Sequence, residues 1–396
     1  MSTIVKNSIE TSPATSFGAL VTPVVLSVLS IFLTIGVSFA ILPKLVHDQL
    51  GYGNVIVGVV IGLANATALI TRMYAGTHTD TRGPKSGLVR GIITTAAAGV
   101  VYVCSAIAGL PPMLSLGLLL TARILHGIGE SFLITGALTL GIGLVGPARA
   151  GKLMAWVGIS LYAGIGLGAP LGNFVHQYLG VMAAFMLILL LPVLGSLPVL
   201  RSPEIATSGK KSGVPFYRVL SMISRQGVSL ALSVIGFGCL SSFVALMFAA
   251  NKWGGAPWAL SVFAATYTLV RLFFASSPDK YGGYRIAAIS IVIEIVGLLM
   301  LCSAGSPAMA LLGCAFTGIG FSLIFPALGV EAVKKVSPEI RGSAMGAYTA
   351  FTDLALGITG PIAGLIASSF GYQAIYLFGA VCAALALLLI MIRKEQ

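Results

Sequence analysis

Charge is scarce in this sequence of 396 residues, since Asp, Glu, Lys and Arg together make up only 9% of it. A typical soluble domain is about 25% charged, so this chain cannot cover a water-facing surface with ions. Hydrophobic residues make up 57% of the chain. They recur in runs of roughly 20 residues, the length that a helix needs to cross a bilayer. The shortage of charge excludes an ordinary soluble protein and predicts an all-α integral membrane protein.

Paired cysteines and catalytic signatures are absent as well. The five cysteines all fall in apolar runs, and none has the spacing of a disulfide framework or a metal site. No G-x-x-x-x-G-K sequence is followed by Ser or Thr, so ATP is excluded as an energy source within the chain. No H-E-x-x-H or G-x-S-x-G motif occurs either. We therefore expect a protein that is not an enzyme and that uses no metal and no cofactor.

The long apolar runs predict twelve membrane spans. Their approximate limits are 21–46, 55–75, 87–108, 113–144, 152–175, 181–200, 228–250, 258–275, 286–304, 308–332, 343–367 and 372–392. A long polar stretch separates the sixth span from the seventh. We therefore predict an N-terminal six-helix bundle at 1–200, a cytoplasmic linker at 201–227 and a C-terminal six-helix bundle at 228–396.

Positive charge indicates how the spans are oriented. With the amino terminus inside, only Lys44 and Lys252 of the 23 Lys and Arg residues fall in outer loops, and Arg72, Arg123 and Arg271 lie within spans. An excess of Lys and Arg on the cytoplasmic side sets topology, so both termini are predicted to be cytoplasmic. The net charge of +12 then reflects orientation in an inner membrane, among its lipids, and nucleic acid is not expected as a partner.

The two halves of the chain repeat each other. TRMYAGTHTDTRG (71–83) aligns without gaps on VRLFFASSPDKYG (270–282), and HGIGES (126–131) aligns on TGIGFS (317–322). The second register continues, so that Pro147, Gly151, Pro170 and Gly180 match Pro338, Gly342, Pro361 and Gly371. Many secondary transporters are built from repeated halves, with the binding site at the midplane between them. The repeat therefore favours transport.

Three further motifs occur along the chain: GTHTDTRGPK (76–85) after span two, RILHGIG (123–129) in span four and GIGLGAPLG (164–172) in span five. Through these motifs the whole chain resembles the major facilitator superfamily. The resemblance implies two pseudo-symmetric six-helix bundles that work by alternating access, with a single chain as the active unit. The overall pattern is most similar to bacterial exporters of sugars, drugs or metallophores.

The first motif is interpreted as a cytoplasmic gate. Asp80 lies in a predicted tight loop, where a carboxylate can accept hydrogen bonds from a helix N-terminus and pair with Arg or Lys. The resemblance implies that Asp80 stabilises the state closed to the cytoplasm, although Thr81 and Ala275 replace an Arg and a Gly of the family pattern. The predicted gate comprises Gly76, Asp80, Arg82, Gly83, Lys85, Asp279 and Gly282. The alternative is a turn whose charges only set topology.

Glycines mark one face of span five. Gly158, Gly164, Gly168 and Gly172 recur at helical spacing, which permits close helix packing, and Pro170 can kink the helix. The resemblance relates Gly164, Gly168, Pro170 and Gly172 to a motif of proton-driven exporters, in which this packing seals the cavity against proton leak. Ala169 stands where that motif has a further glycine. Tight packing without a role in sealing is the alternative.

Three ionisable residues share one face of span four, because Arg123, His126 and Glu130 are spaced i, i+3, i+7. A charge at the bilayer centre costs at least about 2.5–3.5 kcal/mol on insertion scales, so this face should point into the bundle or a wet cavity. We interpret Glu130 as a carboxylate that alternately binds a proton and a substrate, Arg123 as its partner and His126 as a candidate proton relay. The alternative is a network that only holds the bundle together.

Other charged residues also lie within spans. Asp353, near the middle of span eleven, is a second candidate proton site. Glu294 lies in span nine, which is peripheral in the superfamily, so we expect a structural contact there. Arg72 and Arg271 lie near predicted cytoplasmic span ends, where long side chains reach toward the surface, and we interpret them as gate or anchor residues.

These observations predict an inner-membrane transporter that exports small organic molecules in exchange for protons. A proton-coupled importer of a small metabolite would have the same fold, and only the span-five motif favours export. A transporter-like sensor that binds its ligand without moving it is the third reading, which the shortage of soluble sequence disfavours. The sequence contains no motif that identifies the substrate.

Overall fold

The chain is α-helical throughout the part that the structure describes. This computed structural model describes residues 16–146, 149–205, 216–336 and 341–392. The helices are α1 (Phe17–Lys44), α2 (Asn54–Arg82), α3 (Pro84–Ser105), α4 (Pro112–Val145), α5 (Ala150–Leu200), α6 (Phe216–Met222), α7 (Ser224–Ala250), α8 (Ala256–Phe274), α9 (Ser277–Tyr281), α10 (Gly283–Cys302), α11 (Pro307–Lys334), α12 (Arg341–Phe370) and α13 (Tyr372–Met391). A π-helical turn, Leu45–Gln49, follows α1. The predicted all-α fold is confirmed.

The helices account for the twelve predicted spans. Within the described ranges, 11 helices are long and apolar enough to cross a membrane. One of them, α5, contains the fifth and sixth spans, because its backbone leaves the helical conformation at Gly180 (φ 86, ψ 173). Glycine adopts such positive-φ conformations readily because it has no Cβ. The two spans of α5 are therefore joined by a single residue.

Large apolar side chains cover the outer surface of the bundle. Ile70, Met113 and Phe273 are 79%, 82% and 76% exposed. In water, a continuous apolar surface of this kind would promote aggregation. In a bilayer the same side chains face lipid tails, so the surface fits a multi-pass membrane protein.

The segment 76–85 is not the loop that the sequence predicts. Helix α2 continues through Asp80 to Arg82, and only Gly83 (φ 94) leaves the helix before Pro84 begins α3. The polar residues of this segment are compatible with a helix because their hydroxyls bond to the preceding turn. Thr81, for example, donates to the carbonyl oxygen of Thr77 at 2.8 Å. The motif therefore extends α2 by almost two turns.

Part of the predicted linker also belongs to helices. The short α6 and the first residues of α7 lie between 201 and 227. Arg225, in the first turn of α7, donates from Nε to the carbonyl oxygen of Leu389 and from Nη2 to that of Ile390, each at 3.0 Å. These bonds attach the end of the linker segment to α13. Pro147, Lys210, Lys211 and Pro338 lie outside the described residues.

The two halves contain the same helix crossing. A Cβ at Gly129 of α4 would lie 2.9 Å from the backbone nitrogen of Thr95 on α3, and one at Gly320 of α11 would lie 2.7 Å from the Cα of Glu294 on α10. In the register of the repeat, Thr95 corresponds to Glu294 and Gly129 to Gly320. A glycine in each half therefore lets a long central helix approach its neighbour closely.

The halves meet along α2 with α12 and along α5 with α8. We call the face where α1 begins and α13 ends the terminal face, and the opposite one the distal face. Toward the distal face, the backbones of Gly58 and Gly360 are in direct contact, and the Tyr372 hydroxyl donates to Oδ1 of Asn54 at 3.0 Å. The distal ends of α2 and α12 are thus closed against each other.

Candidate functional site

The three ionisable residues of α4 lie on one buried face. Arg123 is 1% exposed, His126 is fully buried and Glu130 is 9% exposed. A Cβ at Gly127, on the same helix, would lie 3.0 Å from the Cα of Ala64, so this glycine lets α4 pack directly on α2. The face points into the bundle rather than toward lipid.

Arg123 binds the backbone of α2. Its Nε donates to the carbonyl oxygen of Val60 at 2.7 Å and its Nη2 to that of Ile61 at 2.5 Å. Its Nη1 is buried and has no hydrogen-bond partner among the described residues. Arg123 therefore clamps α4 to α2 within the N-terminal half, and it forms no ion pair with Glu130 in this conformation.

His126 connects α4 to α1. Its Nε2 lies 3.2 Å from Oγ1 of Thr34, and this hydroxyl donates to the carbonyl oxygen of Ile31 at 2.6 Å. Because a hydroxyl has one proton to donate, Thr34 must accept from the Nε2–H of His126. The buried Nδ1 is then an acceptor, and within the described residues it has no partner. One side of the ring is thus held in place while the other is free to bind a proton donor.

Asp353 of α12 forms an ion pair with Arg72 of α2. Nε of Arg72 lies 2.6 Å from Oδ2 of Asp353, and the two side chains are 16% and 9% exposed. The expectation that Arg72 reaches toward the membrane surface is therefore wrong. A carboxylate on the facing helix attracts its guanidinium into the bundle, and the pair links the N-terminal half to the C-terminal half.

Glu130 lies within the electrostatic field of this ion pair. The charges that act on its carboxyl group are those of Asp353, Arg72 and Arg123. Glu130 accepts no hydrogen bond from a described residue, so it is the unpaired acid of the group. We call Arg72, Arg123, Glu130 and Asp353 the charged cluster. Because Arg123 is bound to the backbone of α2, Arg72 is the guanidinium that can exchange one acid of the cluster for the other when a proton binds.

An aromatic cluster lies on the opposite side of the bundle. It consists of Tyr162, Phe237, Phe263, Tyr267 and Phe321, contributed by α5, α7, α8 and α11. The rings of Tyr162 and Tyr267 are closest, with centroids 3.9 Å apart. None of these five residues was predicted as a site residue from the sequence. The repeat could have identified two of them, because its register places Tyr162 opposite Asp353 and Phe321 opposite Glu130.

Arg271 belongs to this aromatic side. It is 6% exposed, and its Nη2 donates to the carbonyl oxygen of Ser322 at 2.8 Å and to the Tyr267 hydroxyl at 2.5 Å. The expectation that it reaches the surface is therefore also wrong. Arg271 corresponds to Arg72 in the repeat, but it faces aromatic rings where Arg72 faces a carboxylate.

The predicted gate residues are not brought together. Asp80 and Asp279 are both exposed, and neither makes an ion pair or a side-chain hydrogen bond with a described residue. Lys85 donates from Nζ to the carbonyl oxygen of Ser202 at 3.0 Å. Arg82, Gly83 and Lys85 line a cavity of about 510 Å³ at the terminal face. For the remaining gate glycines, Gly76 and Gly282, a built Cβ would meet no described atom within 4 Å other than those of its immediate chain neighbours and its own helix backbone.

The span-five glycines pack against α1. A Cβ at Gly164 would lie 2.7 Å from the Cβ of Phe32, one at Gly168 would lie 3.1 Å from the Cα of Gly36, and one at Gly172 would lie 2.9 Å from the Cα of Val37. Pro170 lies on the same helix, inside α5. Gly158 does not share this face. Its missing side chain leaves room for Arg271, whose Nη1 would be 3.4 Å from a Cβ there.

Comparisons with known proteins agree with this architecture. The family model of the Major Facilitator Superfamily matches residues 24–254 and 227–396. An uncharacterized MFS-type transporter of Salmonella typhimurium is 40% identical over 366 residues, which are 92% of this chain and 94% of that protein. Another, of Burkholderia mallei, is 41% identical over 354 residues, or 89% and 86% of the two chains.

Solved structures show the same fold at low identity. A D-xylose–proton symporter aligns with a TM-score of 0.80 at 15% identity, covering 94% of this chain and 97% of its own. A human organic anion transporter aligns with a TM-score of 0.70 at 16% identity, covering 96% of this chain and all of its own. At these identities the likeness concerns the fold alone.

Proposed function

Because this chain belongs to the Major Facilitator Superfamily of secondary transporters, we propose that it exports small organic molecules in exchange for protons. The observation that carries the proposal is the buried ion pair between Arg72 and Asp353, which joins the two halves beside the unpaired acid Glu130. A transporter that uses protons needs an acid whose protonation changes how its halves interact. Asp353 meets this requirement.

The coupling follows from charge balance. While Asp353 is ionised, its attraction to Arg72 holds α12 against α2. When Asp353 binds a proton, the pair loses its negative partner, and a buried guanidinium left alone is strongly unfavourable. Arg72 is then drawn to Glu130, which belongs to its own half. The link between the halves is lost, so the balance between the two conformations of the transporter depends on whether Asp353 carries a proton.

The orientation of the cycle completes the proposal. We assign the terminal face to the cytoplasm and the protein to a bacterial inner membrane, because Lys and Arg concentrate on that face and the similar transporters are bacterial. The conformation described, closed at the distal face, is then the one that takes up substrate from the cytoplasm. A single chain contains both halves of the site, so we propose a monomer as the transport unit.

The charged cluster and the aromatic cluster suggest which chemical groups the substrate carries. The charged cluster can bind polar or ionised groups, and aromatic rings such as Tyr162 and Phe237 can stack against a flat apolar face. Sugars, amphipathic drugs and metallophores combine these features. The functional test must therefore cover all three classes.

The decisive experiment uses inside-out vesicles energised with an inward proton gradient and a fluorescent pH dye. Sugars, drugs and metallophores are added in turn to vesicles that contain the wild type, Glu130→Gln or Asp353→Asn. We expect one class of compound to dissipate the gradient in the wild type and neither variant to respond. Asp48→Asn is the matched control, because Asp48 is an exposed acid that, among the described residues, is paired with the adjacent His47 and not with the charged cluster.

The same vesicles distinguish export from import. Radiolabelled substrate should accumulate inside them when the lumen is acidic, since protons leaving the lumen drive substrate in. Accumulation only in right-side-out vesicles with an acidic exterior would instead identify a proton-coupled importer, the activity named for the D-xylose–proton symporter. Binding without any accumulation would identify a sensor. Movement of substrate with no proton signal, unchanged in Glu130→Gln, would contradict the proposal.

A further inference from the structure

Glu294 is a buried acid that does not belong to the charged cluster. It lies on α10 and is fully buried, and both of its carboxyl oxygens lack a hydrogen-bond partner among the described residues. The sequence led us to expect a structural contact. Glu294 does pack closely against Gly236 and Gly320, but it forms neither an ion pair nor a hydrogen bond with any residue in the described ranges.

A buried acid without partners is energetically expensive. Removing a polar group from water without a compensating hydrogen bond costs about 1–3 kcal/mol in proteins, and an isolated charge costs far more. Native structures satisfy most buried polar groups, so each exception calls for an explanation. Ionisable groups within membrane helices most often mark ion or substrate pathways.

The helix crossing itself does not require a carboxyl group. In the N-terminal half the equivalent position is Thr95, whose hydroxyl donates to the carbonyl oxygen of Gly91, one turn back, at 2.9 Å. There, Gly129 packs closely on Thr95 just as Gly320 packs on Glu294. The crossing at Thr95 leaves no side-chain polar atom of that residue without a hydrogen bond. A small, internally bonded residue is thus sufficient for packing, and the acid of the C-terminal half remains unexplained by it.

The carboxyl group of Glu294 points toward the middle of the protein. A Cβ at Gly236 of α7 would lie 2.9 Å from its Oε1, so the acid occupies the space left by that glycine. The next residue of α7, Phe237, contacts the ring of Tyr162 of the N-terminal half, with centroids 5.4 Å apart. Glu294 is therefore separated from the surface where the two halves meet by α7 alone.

No basic side chain within the described ranges stabilises an anion at this position. At its level of the bundle, the ionisable groups on the helices packed around α10 are thiols and phenols: Cys239 on α7, Cys314 on α11, and Tyr376 and Cys382 on α13. Tyr162 on α5 completes the set. With no nearby cation to retain an ionised form, binding of a proton to Glu294 removes one negative charge and leaves a neutral acid in an apolar slot.

We propose that Glu294 is a second proton-binding site, located in the C-terminal half and loaded from the space between the halves past Tyr162. The N-terminal half and α12 bind a proton at the charged cluster, and α10 binds another at Glu294. This inference deepens the proposed export by proton exchange and rests on it for its role in transport, but not for the proton binding itself.

Infrared spectroscopy of the protein reconstituted in lipid tests the binding directly, without substrate. A protonated carboxyl gives a C=O stretching band that a carboxylate does not. We expect the wild type at acid pH to show such a band that both Glu294→Gln and Glu294→Thr lack, and we expect the band to fade as the pH is raised. Glu294→Thr places at this site the residue found at the equivalent position of the N-terminal half. This variant should therefore fold even if Glu294→Gln does not.

Two results would overturn the proposal. A spectrum that is the same in the wild type and in both variants would mean that Glu294 is never protonated. A Glu294 band whose intensity stays constant until the protein unfolds would mean that the acid is permanently neutral and only fills space.

Vesicles then test whether the site takes part in coupling. Glu294→Thr should still move substrate, but with fewer protons per substrate than the wild type, whereas Glu130→Gln should abolish the proton signal. Unchanged stoichiometry in Glu294→Thr would remove Glu294 from the cycle. If the wild type itself moved no protons, the proposed function would fail, while the infrared titration would still decide whether Glu294 binds a proton.

Discussion

Nε of Arg72 on α2 lies 2.6 Å from Oδ2 of Asp353 on α12, although the two residues are 281 positions apart in the sequence. Among the ion pairs of the described residues, this one joins the two halves of the transporter. The others link His47 to Asp48 and Lys334 to Glu331, each within one segment. The stability of the distal-closed state should therefore depend on Arg72 and Asp353 together.

Arg72→Gln should destabilise the protein more than the double variant Arg72→Gln/Asp353→Asn. Removing one partner of a buried ion pair leaves an uncompensated charge and costs about 3–5 kcal/mol, whereas removing both can be nearly neutral. Thermal unfolding of the purified proteins, analysed as a double-mutant cycle, measures the difference. The loss in Arg72→Gln should be smaller at acid pH, because protonation neutralises Asp353. Equal stability of the single and double variants at neutral pH would show that the two side chains are not coupled.

Gly58→Val should prevent closure of the distal face. A Cβ at Gly58 would lie 2.3 Å from the carbonyl carbon of Gly360, on the facing helix of the other half. The backbones cannot separate locally without moving α2 and α12 apart, so the variant should remain open at that face and lose transport. Crosslinking of cysteines placed at Asn54 and Tyr372, whose side chains are hydrogen-bonded at 3.0 Å, should fall sharply.

Gly117→Val is the control for this experiment. Gly117 is an exposed helical glycine of α4 with nothing within 4 Å of a built Cβ, so the added side chain meets no neighbour. It should crosslink and transport like the wild type. Efficient crosslinking in Gly58→Val would mean that the close contact is not needed to hold the distal face shut.

The fold was largely predictable, because span length and hydrophobicity are properties of the chain itself. The twelve apolar runs all became helix, and Gly180 separates the fifth from the sixth as the run boundaries predicted. The segment 76–82 was mispredicted as a loop. Its Thr and Asp residues are typical of turns, but hydroxyls that bond to the preceding helical turn and the lack of a breaker before Gly83 keep it helical.

The site was predictable only where one helix defines it. Spacing alone places Arg123, His126 and Glu130 on a common face of α4. The pairing of Arg72 with Asp353 depends on how α2 and α12 approach each other, which no local pattern encodes. The repeat contains a further indication of the site. It matches Arg72 with Arg271 and Asp353 with Tyr162, so each charged residue of the ion pair corresponds to a residue on the aromatic side.

His126→Gln distinguishes a structural histidine from a proton relay. The amide nitrogen of Gln can replace Nε2 as the donor to Thr34, but Gln offers nothing at the position of Nδ1. If His126 only connects α4 to α1, His126→Gln should keep stability and transport, and His126→Leu should lose about 1 kcal/mol of stability with the hydrogen bond. Thermal unfolding and the vesicle assay measure the two properties. Loss of proton coupling in a stable His126→Gln would assign the relay role to Nδ1.

Asp80→Asn should slow transport without affecting the stability of the distal-closed state. Asp80 is exposed and forms no ion pair or side-chain hydrogen bond with a described residue in that state, so the loss of its charge breaks no such bond there. If Asp80 stabilises the state closed at the terminal face, its loss should shift the population further toward the distal-closed state. Hydrogen–deuterium exchange of the terminal ends of α2 and α12 should then increase, with unchanged exchange at their distal ends. Asp48→Asn, which removes the same charge from an exposed position outside the gate, should change neither. Exchange and transport that are both unaltered in Asp80→Asn would mean that the charges of this motif only orient the protein in the membrane.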